Sequence, residues 1–256
     1  MSTTNTLNLP FSEATPSIAK KAALWGYGIT SYLVGFGGML AIIFAMAGFI
    51  PLGQVAPFIE NSALAVAFNI ALTFLFGLQH SIMARPWFKH ILHQYLGQAC
   101  ERSTFILASG LVSIFMIALW QPVGGVVWQA DSTLAMIVLW ALFAGGWSYL
   151  MAATFAINHW DLFGLRQIWF AAQGQPYVAP EFKEGWMYGF SRHPIMLGVL
   201  MGIWFLPTMS ATQLVLSISF TAYIFIGVWF EEKDLLQQFG QRYADYKQRV
   251  GMFFTL

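Results

Sequence analysis

The sequence predicts an all-α integral membrane protein with about four full transmembrane helices, a C-terminal helical hairpin and an amphipathic cytoplasmic helix. Hydrophobic residues make up 58% of the 256 residues, charged residues make up 9%, and the mean hydropathy is +0.63. Soluble domains carry about 25% charged residues. The apolar runs also lack the alternation of apolar and polar residues that a membrane β-barrel requires, so we expect helical spans.

Four stretches without Asp, Glu, Lys or Arg predict the full spans. They cover residues 22–58, 61–84, 103–130 and 132–160. About 20 apolar residues in a helix cross a bilayer core of about 30 Å, so each stretch suffices for one crossing. Within the first stretch, the small residues of "GYGITSYLVGFGG" (26–38) predict close packing against another helix rather than a nucleotide-binding loop.

A fifth charge-free stretch, residues 193–230, predicts a helical hairpin. Pro194 and Pro207 bracket a short first arm, and "LPTMSATQ" supplies a turn. The residues that follow, 229–250, carry Leu, Phe, Tyr and Val at helical spacing. This pattern predicts one amphipathic helix that lies against the membrane face or covers a pocket.

The positive charges all lie on one side of these spans. Lys and Arg occur before the first span, between the second and third, after the fourth and after the hairpin, whereas residues 51–60 and 121–131 carry none. By the positive-inside rule, both termini are expected in the cytoplasm. All the histidines are predicted at that same face, where we expect any active site: His80, His90, His93, His159 and His193.

Charged residues also meet at the base of the predicted hairpin. Arg192 and His193 begin its first arm, and Glu231 and Glu232 end its second. A charge at membrane depth is costly unless it finds a partner. Arg192 and His193 are therefore expected to face Glu231 or Glu232 and a polar ligand.

Several of these segments resemble a known group of membrane enzymes. "SRHPIMLG" and "EEKDLLQQFGQRYADYKQRV" resemble the C-terminal signature of the isoprenylcysteine carboxyl methyltransferase and phospholipid methyltransferase superfamily. "LQHSIMARPWFKH", "ERST" and "INHWDLFGLRQIW" are similar to its NnrU-like branch, and most closely to the methanethiol S-methyltransferases. Met196 stands where the superfamily usually has tyrosine, and Gly251 where it usually has proline.

The resemblance implies S-adenosylmethionine as the cofactor, bound at the cytoplasmic membrane face. Glu231 or Glu232 suits its ammonium or ribose hydroxyls, and Arg192 suits its carboxylate. Tyr188 or the C-terminal tyrosines suit its adenine. The cofactor-binding residues that the resemblance implies are Tyr188, Arg192, His193, Glu231, Glu232, Tyr243 and Tyr246.

The resemblance also implies methylation of a small thiol, methanethiol, to give dimethyl sulfide. A cysteine thiol has a pKa of about 8.5 and simple thiols are weaker acids, so a base or a positive field at the sulfur is useful. His80 or His159 is expected to accept the proton, oriented by Asp161, with Arg85 and Arg166 nearby. Both histidines also suit structural roles, His80 in a hydrogen bond between helices and His159 beside a helix cap.

The chain is expected to form a single domain over residues 1–256, placed in the bacterial inner membrane. Residues 1–20 form a polar tail, 21–160 contain transmembrane helices and 161–256 form the cofactor-binding region. The tail precedes an apolar run too long for a signal-peptide core, so no cleavage is expected. Cys100 is the single cysteine, which excludes an internal disulfide.

Two other functions are compatible with the sequence. One is a methyltransferase for a prenylcysteine carboxylate or a lipid amine, which needs an opening wide enough for a chain. The other is a non-catalytic protein that binds haem or metal through histidines. His90 and His93 could join His80 as ligands, but no acidic ligand lies at a fixed spacing, so no metal is expected. Membrane lipids are expected around the protein, and no nucleic acid partner is expected.

Overall fold

The computed structural model describes residues 16–255, which are almost entirely helical. The first fifteen residues of the predicted polar tail lie outside this range. Two short strands are present, β1 (Val126–Gln129) and β2 (Thr208–Ser210). The helices are α1 (Ile18–Met46), α2 (Ser62–Met83), α3 (Pro86–Leu96), α4 (Glu101–Leu119), α5 (Thr133–Ile157), α6 (His159–Leu162), α7 (Leu165–Ala172), α8 (Met187–Phe190), α9 (Pro194–Trp204), α10 (Ala211–Phe239) and α11 (Gln241–Arg249).

Five helices of the described chain are long and apolar enough to cross a membrane. They are α1, α2, α4 with the 3-10 turn before it, α5 and α10. These helices confirm the predicted all-α membrane class. The short helices α3, α6, α7, α8 and α11 lie at one end of the bundle, which we call the basic end because it carries the Lys and Arg residues. The loops 47–61, 120–132 and 205–210 form the opposite end.

The predicted hairpin is present, but its arms are unequal. Helix α9 has 11 residues and α10 has 29. At 1.5 Å per residue α9 is about 16 Å long, too short to cross the bilayer core alone. Residues 205–210 continue from it with little helical structure, and β2 pairs antiparallel with β1 at the opposite end. The first arm is therefore half helix and half extended chain.

The single amphipathic helix predicted over 229–250 is two helices. Helix α10 continues without interruption to Phe239, and Gly240 ends it with φ 55° and ψ −128°. Side chains with a Cβ rarely adopt this conformation, so glycine allows the break. Helix α11 then turns back, which places Tyr243 and Tyr246 in a buried cluster.

Glycines set the closest helix contacts. A Cβ added at Gly38 of α1 would lie 2.6 Å from the carbonyl oxygen of Gly110 in α4, and one at Gly146 of α5 would lie 2.9 Å from that of Gly198 in α9. Backbones can approach this closely only where side chains are absent. The prediction that residues 26–38 mark close helix packing is confirmed.

Two buried amides join the loops at the opposite end. Asn69 and Gln121 exchange hydrogen bonds between side chain and backbone, at 2.8 and 2.9 Å. The side-chain oxygen of Gln121 accepts from the backbone N–H groups of Phe58 and Ile59, and its amide nitrogen donates to Ala56. One side chain thus ties the α1–α2 loop to the end of α4.

Candidate functional site

Glu232 is the centre of a buried ion cluster at the basic end. Its side chain is 7% exposed, and its Oε1 lies 2.6 Å from Arg192 Nη2 and 3.3 Å from His193 Nε2. Its Oε2 lies 2.5 Å from Lys247 Nζ. Three segments meet at this carboxylate: the residues just before α9, the C-terminal part of α10, and α11. The sequence-based prediction that Arg192 and His193 face a glutamate holds for Glu232.

Arg192 is fully engaged within the protein. Its Nε and Nη2 atoms both contact Glu232, and its Nη1 donates to the backbone carbonyls of Lys247 and Val250. The side chain is 7% exposed. In this arrangement Arg192 holds the ends of α10 and α11 together, and each of its three side-chain nitrogens already has a partner within the protein.

The C-terminal residues close over the same place. The backbone N–H groups of Arg192 and His193 donate to the carbonyls of Gly251 and Met252. A Cβ added at Gly251 would lie 1.7 Å from the carbonyl oxygen of Phe254, and the N–H of Gly251 donates to another residue of the turn. Proline has a Cβ and no N–H, so glycine at this position permits the turn.

Tyr243 and Tyr246 pack below the cluster beside Phe182. The Tyr246 hydroxyl donates to the carbonyl of Tyr188 at 2.6 Å. Burial raises the pKa of Tyr246 to about 12 and also raises the pKa of Tyr243. Both phenols stay protonated at neutral pH. In this structure they pack in a buried aromatic cluster and line neither of the two cavities described below.

A small cavity of about 60 Å³ lies beside the ion cluster. Glu231, whose side chain is 49% exposed, lies there with its carboxylate 3.5 Å from His193 Nδ1. Burial, with a further contribution from the charge of Glu231, raises the pKa of Tyr188. The lining residues are Ile157, Tyr188, Arg192, His193, Pro194, Ile195, Met196 and Glu231.

A larger cavity of about 340 Å³ lies next to it, between the start of α4 and the α6–α7 region. Ile157 lines both cavities. Within the larger one, Lys89 Nζ lies 3.1 Å from Glu101, and the Tyr177 hydroxyl donates to Asp161 at 2.8 Å. The lining residues are Lys89, Gln98, Ala99, Glu101, Arg102, Ile157, Asp161, Leu162, Gln167, Ala171, Gln175 and Tyr177.

The two predicted proton acceptors lie away from these cavities. His159 is 2% exposed, and its ring nitrogens lie 3.1 Å from the Tyr32 hydroxyl and 2.9 Å from the Thr154 hydroxyl. Burial lowers the pKa of His159. His80 lies between α2 and α4, with Nδ1 3.2 Å from the Ser109 hydroxyl. Both histidines have the structural contacts that the sequence left open as an alternative.

The other predicted catalytic residues separate into two places. Asp161 accepts hydrogen bonds from the Tyr177 hydroxyl and from Arg166 Nη1, which lies 3.4 Å away. Asp161 lines the larger cavity. Asp161 makes no hydrogen bond with His159 in residues 16–255. Arg85 pairs with Asp234 on α10 at 3.4 Å.

The remaining histidines have single partners of their own. His93 Nε2 lies 2.5 Å from Glu101, and His90 Nε2 lies 3.1 Å from the Gln94 amide. Across the described residues, no group of three or more His, Cys, Asp or Glu side chains is arranged to hold a metal ion.

Two residues of this region, Lys247 and Arg102, were not among the predicted site residues. From the sequence, Lys247 and Arg102 served only to assign the orientation of the protein. Both nevertheless lie in segments that carry the family resemblance, "YADYKQRV" and "ERST". Lys247 completes the cluster on Glu232. Arg102 donates through Nε to the carbonyl of Leu162 at 2.6 Å and lines the larger cavity.

The fold and the site define a polytopic helical membrane protein with two adjoining cavities, lined by both charged and apolar residues, at one membrane end. The chain is 37% identical to a methanethiol S-methyltransferase of Mycobacterium tuberculosis, over 88% of this chain and 93% of the relative. It is 39% identical to methanethiol S-methyltransferase 1 of Bradyrhizobium diazoefficiens, over 94% and 85% of the two chains. A relative of the same name from Pseudomonas deceptionensis is 41% identical over 74% of this chain and 72% of its own.

The chain belongs to the methanethiol S-methyltransferase family. This membership confirms the resemblance read from its motifs. No profile of a known protein family matches the chain, and no solved structure matches it.

Proposed function

We propose that this protein transfers a methyl group from S-adenosylmethionine to methanethiol, giving dimethyl sulfide, at the cytoplasmic face of a bacterial inner membrane. The observation that carries the proposal is the closed base of the α9–α10 hairpin, where His193 and Glu231 line a small cavity beside the Glu232 cluster. Family membership supports the reaction, and the position of Lys and Arg in the sequence supports the face.

The residues of the two cavities fit the proposed methyl donor. S-adenosylmethionine supplies a methyl group on a positively charged sulfur. Glu231 is half-exposed at the smaller cavity and can accept from a hydroxyl group of the donor, and Tyr188 lines the same cavity. Small-molecule sites span about 300–1,000 Å³, so the larger cavity has the size for a donor and the smaller one does not.

The size of the smaller cavity favours a small thiol as the acceptor. Its volume of about 60 Å³ cannot enclose a prenyl or acyl chain. Its walls include Ile157, Ile195 and Met196, which suit a methyl group, and His193 with Glu231, which suit a thiol proton. The lipid-modifying alternative has no comparable support.

The proposed reaction is a displacement at carbon. The thiol sulfur bonds to the methyl carbon as the bond from that carbon to the donor sulfur breaks, and the electron pair of the broken bond neutralises the donor sulfur. The thiol proton must be accepted, and we assign it to the His193–Glu231 pair because these groups line the small cavity. Alignment of the two sulfurs supplies most of the catalysis.

The proposal is tested by headspace analysis of purified protein in nanodiscs supplied with S-adenosylmethionine and methanethiol. The wild-type protein is expected to release dimethyl sulfide, and His193→Ala and Glu231→Ala are each expected to lower the rate by about 100-fold or more. Asp245→Ala, at an exposed site on α11, serves as the control and should retain the wild-type rate.

Two results would contradict the proposal in different ways. A wild-type protein that binds the donor but releases no dimethyl sulfide removes methanethiol as the acceptor. A purified protein with a Soret absorption band that depends on histidine supports haem binding instead of methyl transfer.

A further inference from the structure

The proposed donor carries a carboxylate, and the arginine predicted to bind it is already occupied. All the polar nitrogens of Arg192 have partners in Glu232 and in the carbonyls of Lys247 and Val250. Lys247 itself contacts Glu232. Releasing either cation would leave the buried carboxylate of Glu232 short of countercharge, which is costly. The carboxylate of the donor therefore needs another cation.

Arg102 is a cation of the larger cavity that forms no salt bridge within residues 16–255, although the charges of Glu101 and Asp161 act on it. Its Nε donates to the carbonyl of Leu162, and its guanidinium lies over the ring of Phe105, 4.9 Å from the centroid. The acidic residues of the same cavity are already paired, Glu101 with Lys89 and Asp161 with Arg166. The terminal nitrogens of Arg102 remain as donors for an anion.

Gln167 offers the complementary group. Its amide nitrogen donates to the backbone carbonyl of Asp161 at 3.2 Å. Its side-chain oxygen is buried and has no hydrogen-bond partner within the described chain. A buried acceptor without a donor is destabilising, and an ammonium or N–H group in the cavity would satisfy it. Arg102 and Gln167 together suit a ligand with both a carboxylate and an ammonium.

We propose that the larger cavity binds the amino-acid end of the sulfonium donor, with Arg102 holding its carboxylate and Gln167 accepting from its ammonium. This inference rests on the proposed function. The volume of about 340 Å³ is sufficient for this end of the molecule, and the wall residue Ile157 is shared with the cavity assigned to the thiol. Arg192 is then a positioning residue that holds the hairpin base.

The test compares two nucleosides that differ in the amino-acid end. S-adenosylhomocysteine has it, whereas 5′-methylthioadenosine keeps the adenosine and the thioether and lacks it. Binding of each to the full-length protein in nanodiscs is measured by calorimetry. Arg102→Gln is expected to weaken S-adenosylhomocysteine binding by about 10-fold or more and to leave 5′-methylthioadenosine binding unchanged. Arg102→Lys should weaken S-adenosylhomocysteine binding less than Arg102→Gln does, because lysine keeps the positive charge.

The control is Arg249→Gln, which removes an exposed arginine that pairs with Glu184 and should bind both nucleosides as the wild-type protein does. Unchanged S-adenosylhomocysteine binding in Arg102→Gln, or an equal loss for both nucleosides, overturns the assignment while the proposed function stands. A wild-type protein that binds neither nucleoside overturns the proposed function and this inference together.

Discussion

At the scale of single residues, Glu232 joins segments that are distant in the sequence. Glu231 and Glu232 are neighbours on α10, and consecutive residues of a helix point about 100° apart. The sequence predicts that one of them meets Arg192 and His193, because buried charges need partners. It could not predict which, since the choice depends on how α11 returns to bring Lys247 against Glu232.

We expect Glu232→Gln to destabilise the protein strongly. The change leaves Arg192 and Lys247 buried or half-buried without their shared countercharge, and breaking a buried ion pair costs about 3–5 kcal/mol. The free energy of unfolding can be measured by titration with a denaturing detergent. Glu231→Gln is the matched control, because Glu231 is half-exposed and should change stability little. Equal stability of the two variants would contradict the stabilising role of the ion cluster around Glu232.

His159 is expected to make stability depend on pH. Burial lowers its pKa in the folded protein, so below the ordinary pKa of about 6.5 the unfolded state binds more protons than the folded state. This contribution is therefore present above about pH 6.5 and is lost as the pH falls through the lowered pKa.

The measurement compares the free energy of unfolding at pH 7.5 and pH 5 in the wild-type protein and in His159→Phe. The variant is expected to be less stable at both values, since Tyr32 and Thr154 lose a partner, but to show a smaller decrease at low pH. A decrease as large as that of the wild-type protein would exclude His159 as its source.

At the scale of helices, the sequence predicts which segments pack closely better than it predicts which helix each segment packs against. Small residues in 26–38 predicted close packing, and the structure shows that the partner is α4. Pro194 and Pro207 predicted the hairpin. The break at Gly240 was not predicted, because helical spacing continues on both sides of it and a single glycine is tolerated in many helices.

The contact of α5 with α9 provides a test at this scale. A Cβ at Gly146 would lie 2.6 Å from the Cβ of Met201 and 2.8 Å from the backbone nitrogen of Gly202. Gly146→Ala is therefore expected to lower stability by about 1–3 kcal/mol and to reduce dimethyl sulfide release. Gly145→Ala is the control, because no atom lies within 4 Å of its added Cβ. An effect at Gly145 as large as at Gly146 would rule out this contact as the cause.

At the scale of the whole molecule, one-sided charge predicts a cytoplasmic site, which stays a prediction, whereas the cavities could not be predicted from the sequence. The larger cavity is built from α3, the start of α4 and the turn before it, the end of α5, α6, α7 and the segment that follows, and only the folded chain brings their side chains together. From the sequence, Arg102 was therefore interpreted only as a residue that sets the orientation, although it also lines the larger cavity.

Orientation can be tested in intact cells with a membrane-impermeant maleimide. In a Cys100→Ser background, Gln54→Cys at the opposite end is expected to react from outside. Lys183→Cys, exposed near the basic end, is expected to react only after the cells are lysed. Reaction of Lys183→Cys in intact cells would place the basic end outside and reverse the proposed orientation.

The hydrogen bonds of Asn69 and Gln121 have a consequence for movement in the molecule. They join the loops at the end remote from both cavities, and the β1–β2 ribbon holds the hairpin turn there as well. Helices fixed at one end can separate only at the other, where a slight tilt produces the widest displacement. We therefore expect entry and exit of small molecules to leave the joined loops unchanged, and amide protons of residues 119–129 to exchange more slowly than those of α6 to α8.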